Sequence, residues 1–402
     1  MSIGRRQFLA GVAASPLLVG AGCRDDERYS PADTRILAAQ RTTEAANSGK
    51  GPYGVQRYEG YRGLADLPYF ELDDAGSLRC TVENLPAAID VHTHLGISLL
   101  LAPNTNLLAS TPRVEHVLDC DAEEPGCPLD LDVYINGNFR PADMRSLHWN
   151  GFAQLTFGSS KAATHTVPNL IAEMDATRIA QAVVLPIAFG LPFGDDLTER
   201  FMEAIEQSGT QKRLLPAASV HASDPHAVEK LHRYAKAGAK MVKLHPAGGR
   251  FFPDAEEMHP IYRACGELGL PIIFHGGRAG IEPEYTHQFT LIRHYEGALR
   301  KFPDVQFILG HAGARDFEDA ILLAERFQNV WFGIHGQGVT MLDRLIRTVG
   351  HERLLFGTDW PFYHLAATLA KVLLVTEGSE AARYALLRGN AEKLLGIENH
   401  EA

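Results

Sequence analysis

From residue 88 onward the chain alternates eight times between a short aliphatic run and an amphipathic stretch. The runs are AIDVHTH (88–94), AQAVVLPIA (180–188), LLPAASVH (214–221), KMVKLHP (240–246), PIIFHGG (271–277), VQFILGHAG (305–313), VWFGIHG (330–336) and LLFGTDWP (354–361). Between them, segments such as DPHAVEKLHRYAKAGA and MHPIYRACGELGL carry apolar residues at helical spacing. Alternating strand and helix calls for a parallel sheet, since parallel strands need crossover connections. Eight such units over about 300 residues fit a (β/α)8 barrel with insertions. The competing architecture, an open doubly wound sheet, usually has a glycine-rich nucleotide turn after its first strand. Here that position reads HTHLG.

The spacing breaks once. About 85 residues separate the first two runs, a gap long enough for a functional loop or small subdomain. It contains CDAEEPGC, DVYINGNFRP and SLHWNGF, and the insertion is placed at about residues 97–163. THTVPNLIAEMDATR (164–178) reads as the helix leading into the second strand. Residues 23–87 form an N-terminal extension in which YFELDDAGSLRCTV predicts two short strands around a turn. The barrel then occupies 88–402.

The first residues read as an address. MSIGRRQFLAGVAASPLLVGAGC has paired arginines, Arg5 and Arg6, then an apolar middle and a small-residue end. That layout marks residues 1–22 as an export signal, and RRQFL resembles the twin-arginine type. VGAGC resembles a lipoprotein cleavage box with Cys23 as the lipidated residue, so a membrane is expected only through that anchor. An exported, periplasmic or membrane-anchored protein can keep disulfides. Cys120 and Cys127 flank a loop short enough to be closed by one, whereas Cys80 and Cys265 have no such neighbour. The net charge of −11 and the lack of a basic cluster beyond the signal argue against a nucleic-acid partner.

In a barrel of this type chemistry belongs at the C-terminal strand ends. There the sequence places His92 and His94 (first strand), His221 (third), Lys243 and His245 (fourth) and His275 (fifth). His311, His335 and Asp359 follow on the sixth, seventh and eighth. In an HxH pair on a strand both imidazoles share a face. Burying so many imidazoles with a carboxylate is costly unless they share a partner, and a divalent metal ion is that partner.

HTH, KLHP, FHGG, GHAGA and FGTDWP, in that order, resemble the amidohydrolase superfamily, and most closely the amidohydrolase-related family that includes aminocarboxymuconate semialdehyde decarboxylase. The similarity runs from residue 88 to about 398. It implies His92, His94, His275 and Asp359 as ligands of one divalent ion, zinc first among candidates, with a second ion possible. His311 and Asp359 would be catalytic. Lys243, His245, His221, His335 and Trp360 would contact substrate or orient the ligands. The implied activity is hydrolysis of a small amide, ester or lactone through a metal-activated water. The alternatives are metal-dependent decarboxylation of an unsaturated or aromatic carboxylic acid, with Lys243, Arg250 or Arg278 as carboxylate clamp, and, in another class, a non-catalytic metal-binding lipoprotein. The expected partner is a small-molecule substrate; oligomeric state is not legible.

Overall fold

The computed structural model describes residues 28–99, 105–122, 125–191 and 194–397. The export signal and Cys23 lie outside them. The chain divides into two compact units, one up to Ala39 and one from Gln40 on. The helix Pro31–Asn47 opens the described chain. Among the described residues no helix is long and apolar enough to cross a membrane.

Three short strands precede the barrel: β1 (Arg57–Glu59), β2 (Phe70–Leu72) and β3 (Leu78–Cys80). β2 and β3 form the expected hairpin around the turn, with Phe70 opposite Cys80. The barrel strands are β4 (Ala88–Thr93), β6 (Ile179–Val184), β7 (Leu214–Pro216), β8 (Val242–Leu244), β9 (Ile272–Phe274), β10 (Phe307–Leu309), β11 (Val330–Gly333) and β12 (Leu354–Leu355). β5 (Pro128–Asp130) lies in the insertion and pairs antiparallel with β1.

The barrel strands form two parallel arcs, β4-β6-β7 and β8-β9-β10-β11-β12. Both seams are closed by backbone pairing. Ala218 bridges Val242 between β7 and β8, and Thr93 bridges Trp360 between β12 and β4. The Val91 N–H also donates to the Phe356 carbonyl at 2.9 Å. The competing open sheet is thereby set aside, because closure leaves no sheet edge.

Each strand or its lead-in sends at least one side chain into the lower barrel: Ile89 and Val91, Val183 and Leu185, Leu215 and Ala217, then Met241, Ile273, Ile308, Trp331 and Leu355. Ala391 and Leu395 of the helix Asn390–Leu395 plug this floor. The interior is therefore dry below and polar above. Helices predicted by the apolar spacing form at Val167–Ala176, Ala227–Lys236 and His259–Leu268, each burying its apolar stripe. SLHWNGF of the long insertion lies in the helix Pro141–Phe157, entered through Pro141 at its first position.

Cys120 and Cys127 form the disulfide, with Cα atoms 4.7 Å apart. A loop this short constrains the unfolded chain by about 2–3 kcal/mol in the chain-entropy picture. The Cys120→Ser/Cys127→Ser double variant is expected to lose stability of that order in urea unfolding, and an unchanged midpoint would contradict it.

Candidate metal centre

The upper barrel interior follows from strand alternation. Met241, Lys243 and His245 form one inward column; Ile273 and His275 form another. Trp331, Gly333 and His335, and Leu355, Gly357 and Asp359, complete the pattern. The glycines provide room. A Cβ at Gly357 would lie 3.0 Å from the His92 Cβ and 3.1 Å from His335 Nδ1, and one at Gly333 would lie 3.1 Å from His335 Cε1.

β4 departs from simple alternation. Ile89 and Val91 face the dry floor, so His92 and His94 should face away from it. Register shifts between Ala88 and Ile89 and between Asp90 and Thr93 interrupt the pattern, and both histidines join the inner cluster. Asp90 stabilises this irregularity. Its fully buried carboxylate accepts from the His92 N–H at 2.9 Å, the Thr358 N–H at 3.1 Å and the Thr358 hydroxyl at 2.5 Å. Burial raises its pKa to about 7 despite these donors.

His92 Nε2 and His94 Nε2 each lie 3.5 Å from Asp359 Oδ1. A tetrahedral ion with bonds of about 2.1 Å holds its ligand atoms about 3.4 Å apart. His94 Nδ1 donates to the Leu185 carbonyl at 2.7 Å, leaving the Nε2 lone pair directed at the centre. Asp359 Oδ2 and His92 Nδ1 are buried without a hydrogen-bond partner among the described residues. Burial, then neighbouring Lys243 and histidines, keep the His92 imidazole well below its ordinary pKa, in the neutral form that binds metal. These residues fit a divalent ion. A second group, His311, His335 and Asp359, shares the carboxylate, so the donor set also accommodates the second ion.

The other expected residues take distinct places. Lys243 Nζ lies 3.0 Å from His92 Nε2, and burial lowers its pKa to about 7. His311 Nε2 is 4.0 Å from Asp359 Oδ2 and 3.1 Å from His275 Nδ1. The His311 N–H donates to His335 Nε2 at 3.0 Å. His245 stacks on His275 with centroids 4.2 Å apart.

His275, His221 and Trp360 are the remaining expected residues. His275 joins neither ligand group among the described residues; its Nδ1 meets His311 and its Nε2 faces Glu282 Oε2 at 3.7 Å. His221 is held away from the cluster by Ser223 Oγ at 2.7 Å and the Gly249 carbonyl at 2.8 Å. Trp360 is fully buried, and its indole N–H donates to Glu173 Oε2 at 3.1 Å, so it does not offer that group to substrate. Of the cations considered for a clamp, Arg278 is buried in a bidentate pair with Asp316, and Arg250 lies over the Tyr285 ring at 5.8 Å.

Sequence reasoning missed Tyr134, Glu282 and Glu173. The Tyr134 hydroxyl, from DVYINGN in the insertion, sits 3.0 Å from His311 Nδ1. Glu173 also contacts His116 Nε2 at 3.2 Å. Burial pushes the Glu173 carboxyl up, but His116, His364 and the hydrogen bonds from His116 and Trp360 outweigh it, giving about 2 against an ordinary 4.5. A depressed carboxylate stabilises the fold above its unfolded pKa and loses that contribution as pH falls through the folded one. In metal-free chain, stability should therefore drop between pH 4.5 and 2, and Glu173→Gln should flatten that drop. Parallel urea midpoints for the two chains across this window would contradict the assignment.

The backbone is strained where the ligands converge. His311 and Asp359 have φ of 57° and 64°, with Ala312 and Ala314 at 48° and 49°. Non-glycine residues hold such values at a cost of about 1–3 kcal/mol each, typically at functional sites.

A family model described as amidohydrolase matches residues 89–397. No curated protein matches. Among solved structures, an uncharacterized TIM-barrel protein from Bordetella bronchiseptica is 20% identical with a TM-score of 0.54, covering 77% of this chain and 98% of its own. The 2,6-dihydroxybenzoate decarboxylase from Rhizobium is 16% identical with a TM-score of 0.54, covering 78% and 99%. A 5-carboxyvanillate decarboxylase from Novosphingobium aromaticivorans, solved with manganese and 4-hydroxy-3-methoxy-5-nitrobenzoic acid, is 18% identical with a TM-score of 0.50, covering 77% and 99%. These likenesses independently support the closed barrel. Since the family match extends from the first barrel strand to the helix that plugs its floor, this chain belongs to the amidohydrolase family.

Proposed function

We propose that this chain is an exported metal-dependent hydrolase of a small amide, ester or lactone. The family is one of metal-dependent enzymes, which sets aside the non-catalytic reading. The observation carrying the hydrolytic reading is the divided geometry of Asp359. Oδ1 faces His92 and His94 at 3.5 Å, whereas Oδ2 is unpartnered and 4.0 Å from His311 Nε2. His92, His94 and Asp359 would hold a divalent ion, zinc first among candidates, which would supply Lewis acidity and lower the pKa of a nearby water toward about 7. Asp359 Oδ2 takes the proton of the attacking water and returns it to the leaving group. His311 polarises the scissile carbonyl and stabilises its developing oxyanion. Tyr134 holds His311 in orientation.

Decarboxylation of an unsaturated or aromatic acid is the second reading, and two of the similar folds are decarboxylases of aromatic acids. Fold alone does not carry chemistry. Asp316 occupies Arg278, which weakens the clamp this reaction needs. The test is to supply the full chain with zinc or manganese and screen esters, lactones, amides and aromatic acids in parallel. Metal-dependent hydrolysis supports the proposal; CO2 release in place of hydrolysis overturns it. Export rests on the Arg5–Arg6 pair and Cys23. Replacing both arginines by lysine should retain the precursor in the cytoplasm, and Cys23→Ser should abolish lipid labelling; a chain localised and labelled as before would overturn this part.

A further inference from the structure

We infer that Glu173 is a positioning residue for the metal centre, acting through Trp360 on Asp359 and His94. This rests on the metal-site reading above. Trp360 follows Asp359, whose φ of 64° is unfavourable for a residue with a side chain and persists only if its surroundings hold it. Trp360 supplies that hold from two sides. Its carbonyl accepts from the His94 N–H at 2.6 Å, tying the eighth strand to the HTH segment. Its indole N–H donates to Glu173 Oε2 at 3.1 Å.

Glu173 is itself fastened. It sits on the helix Val167–Ala176, and the oxygen that receives the indole also faces His116 Nε2 at 3.2 Å. His116 belongs to the insertion, and the next two residues run alongside the chain after Asp359. The Val117 N–H donates to the Pro361 carbonyl and the Leu118 N–H to the Phe362 carbonyl, both at 2.9 Å. The Tyr61 hydroxyl caps the Leu118 carbonyl at 2.7 Å. The Cys120–Cys127 disulfide closes the same segment. Insertion, helix and N-terminal extension thus converge on one indole. A carboxylate oxygen engaged by both an indole and an imidazole is placed to hold rather than to react. Its effect is to fix the tryptophan and thereby the direction of the Asp359 carboxylate. Partners behind metal ligands commonly contribute 10–100-fold in metal affinity.

The experiment titrates metal-free full chain with zinc or manganese alone, reading Kd by chelator competition for wild type, Glu173→Gln, Trp360→Phe and the double variant. Each single change is expected to weaken binding by about 10–100-fold. The double should be no weaker than the weaker single, because both act through one contact. Thermal unfolding of the metal-free chains separates this from general destabilisation. A Glu173→Gln chain that unfolds earlier yet binds metal like wild type overturns the inference, as do independent, additive effects. Should Glu173→Gln fail to fold, His116→Gln tests the same carboxylate from its other donor, with weaker binding expected and unchanged binding overturning the inference. Wild-type chain that binds no metal overturns the metal-site reading and this inference together; wild-type binding with an indifferent Glu173 overturns this inference alone.

Discussion

Asp359→Ala is expected to reduce divalent-metal affinity by more than about 100-fold, beyond the 10–100-fold typical of residues that merely support ligands. The carboxylate lies in both candidate ligand groups, so its loss disables either one. It is also the only negatively charged member of those groups, the others being imidazoles. In the proposed mechanism Asp359 both faces the ion and moves the proton, so metal-dependent turnover should fall with it. Asp359→Asn separates the two roles in part: the amide keeps an oxygen for coordination but cannot act as base. Chelator competition and turnover measured together check this. An Asp359→Ala chain that retains metal at wild-type affinity would show that the centre lies elsewhere.

The second large effect is on stability. Asp316→Ala should destabilise the chain by about 3–5 kcal/mol, the penalty for leaving a buried charge without its partner. Arg278 is 1% exposed and Asp316 2%, and the guanidinium meets both carboxylate oxygens, so the change breaks a buried ion pair even where the arginine keeps other contacts. The same carboxylate accepts the Arg278 N–H at 3.0 Å, so the pair also fixes the loop after β9 that carries Glu282. Replacing both residues with apolar ones of similar volume should recover much of the loss, because a paired buried charge contributes little over well-packed hydrophobic side chains. Urea unfolding of the single and double variants is the measurement. A single variant as stable as wild type would mean that the arginine finds other compensation.

The barrel was legible because each strand is short, apolar on both faces and separated from the next by a helix-spaced segment. The polar rim was legible for a related reason: on a buried strand, a histidine at the C-terminal end stands out against the aliphatic residues before it. What escaped was geometry set by distant contacts. Alternation placed His92 and His94 on one face, but the register shifts that turn this face inward depend on pairing with β6 and on Asp90 meeting Thr358. His275 looked equivalent to its neighbours in sequence, yet its ring is turned between His311 and Glu282. The partner of Trp360 was not legible, because Glu173 lies 187 residues away. Tyr134 gave no signal at all, being one aromatic residue in an insertion without strand or helix periodicity, 177 residues from the imidazole it meets.

Elemental analysis of the purified full chain and its His94→Ala variant, after incubation with zinc or manganese and removal of excess, decides whether His92, His94 and Asp359 hold a divalent ion. One equivalent per chain is expected in the wild type, lost in the variant. A wild-type chain without bound metal, or a variant that retains it, would show that these three residues do not form the site.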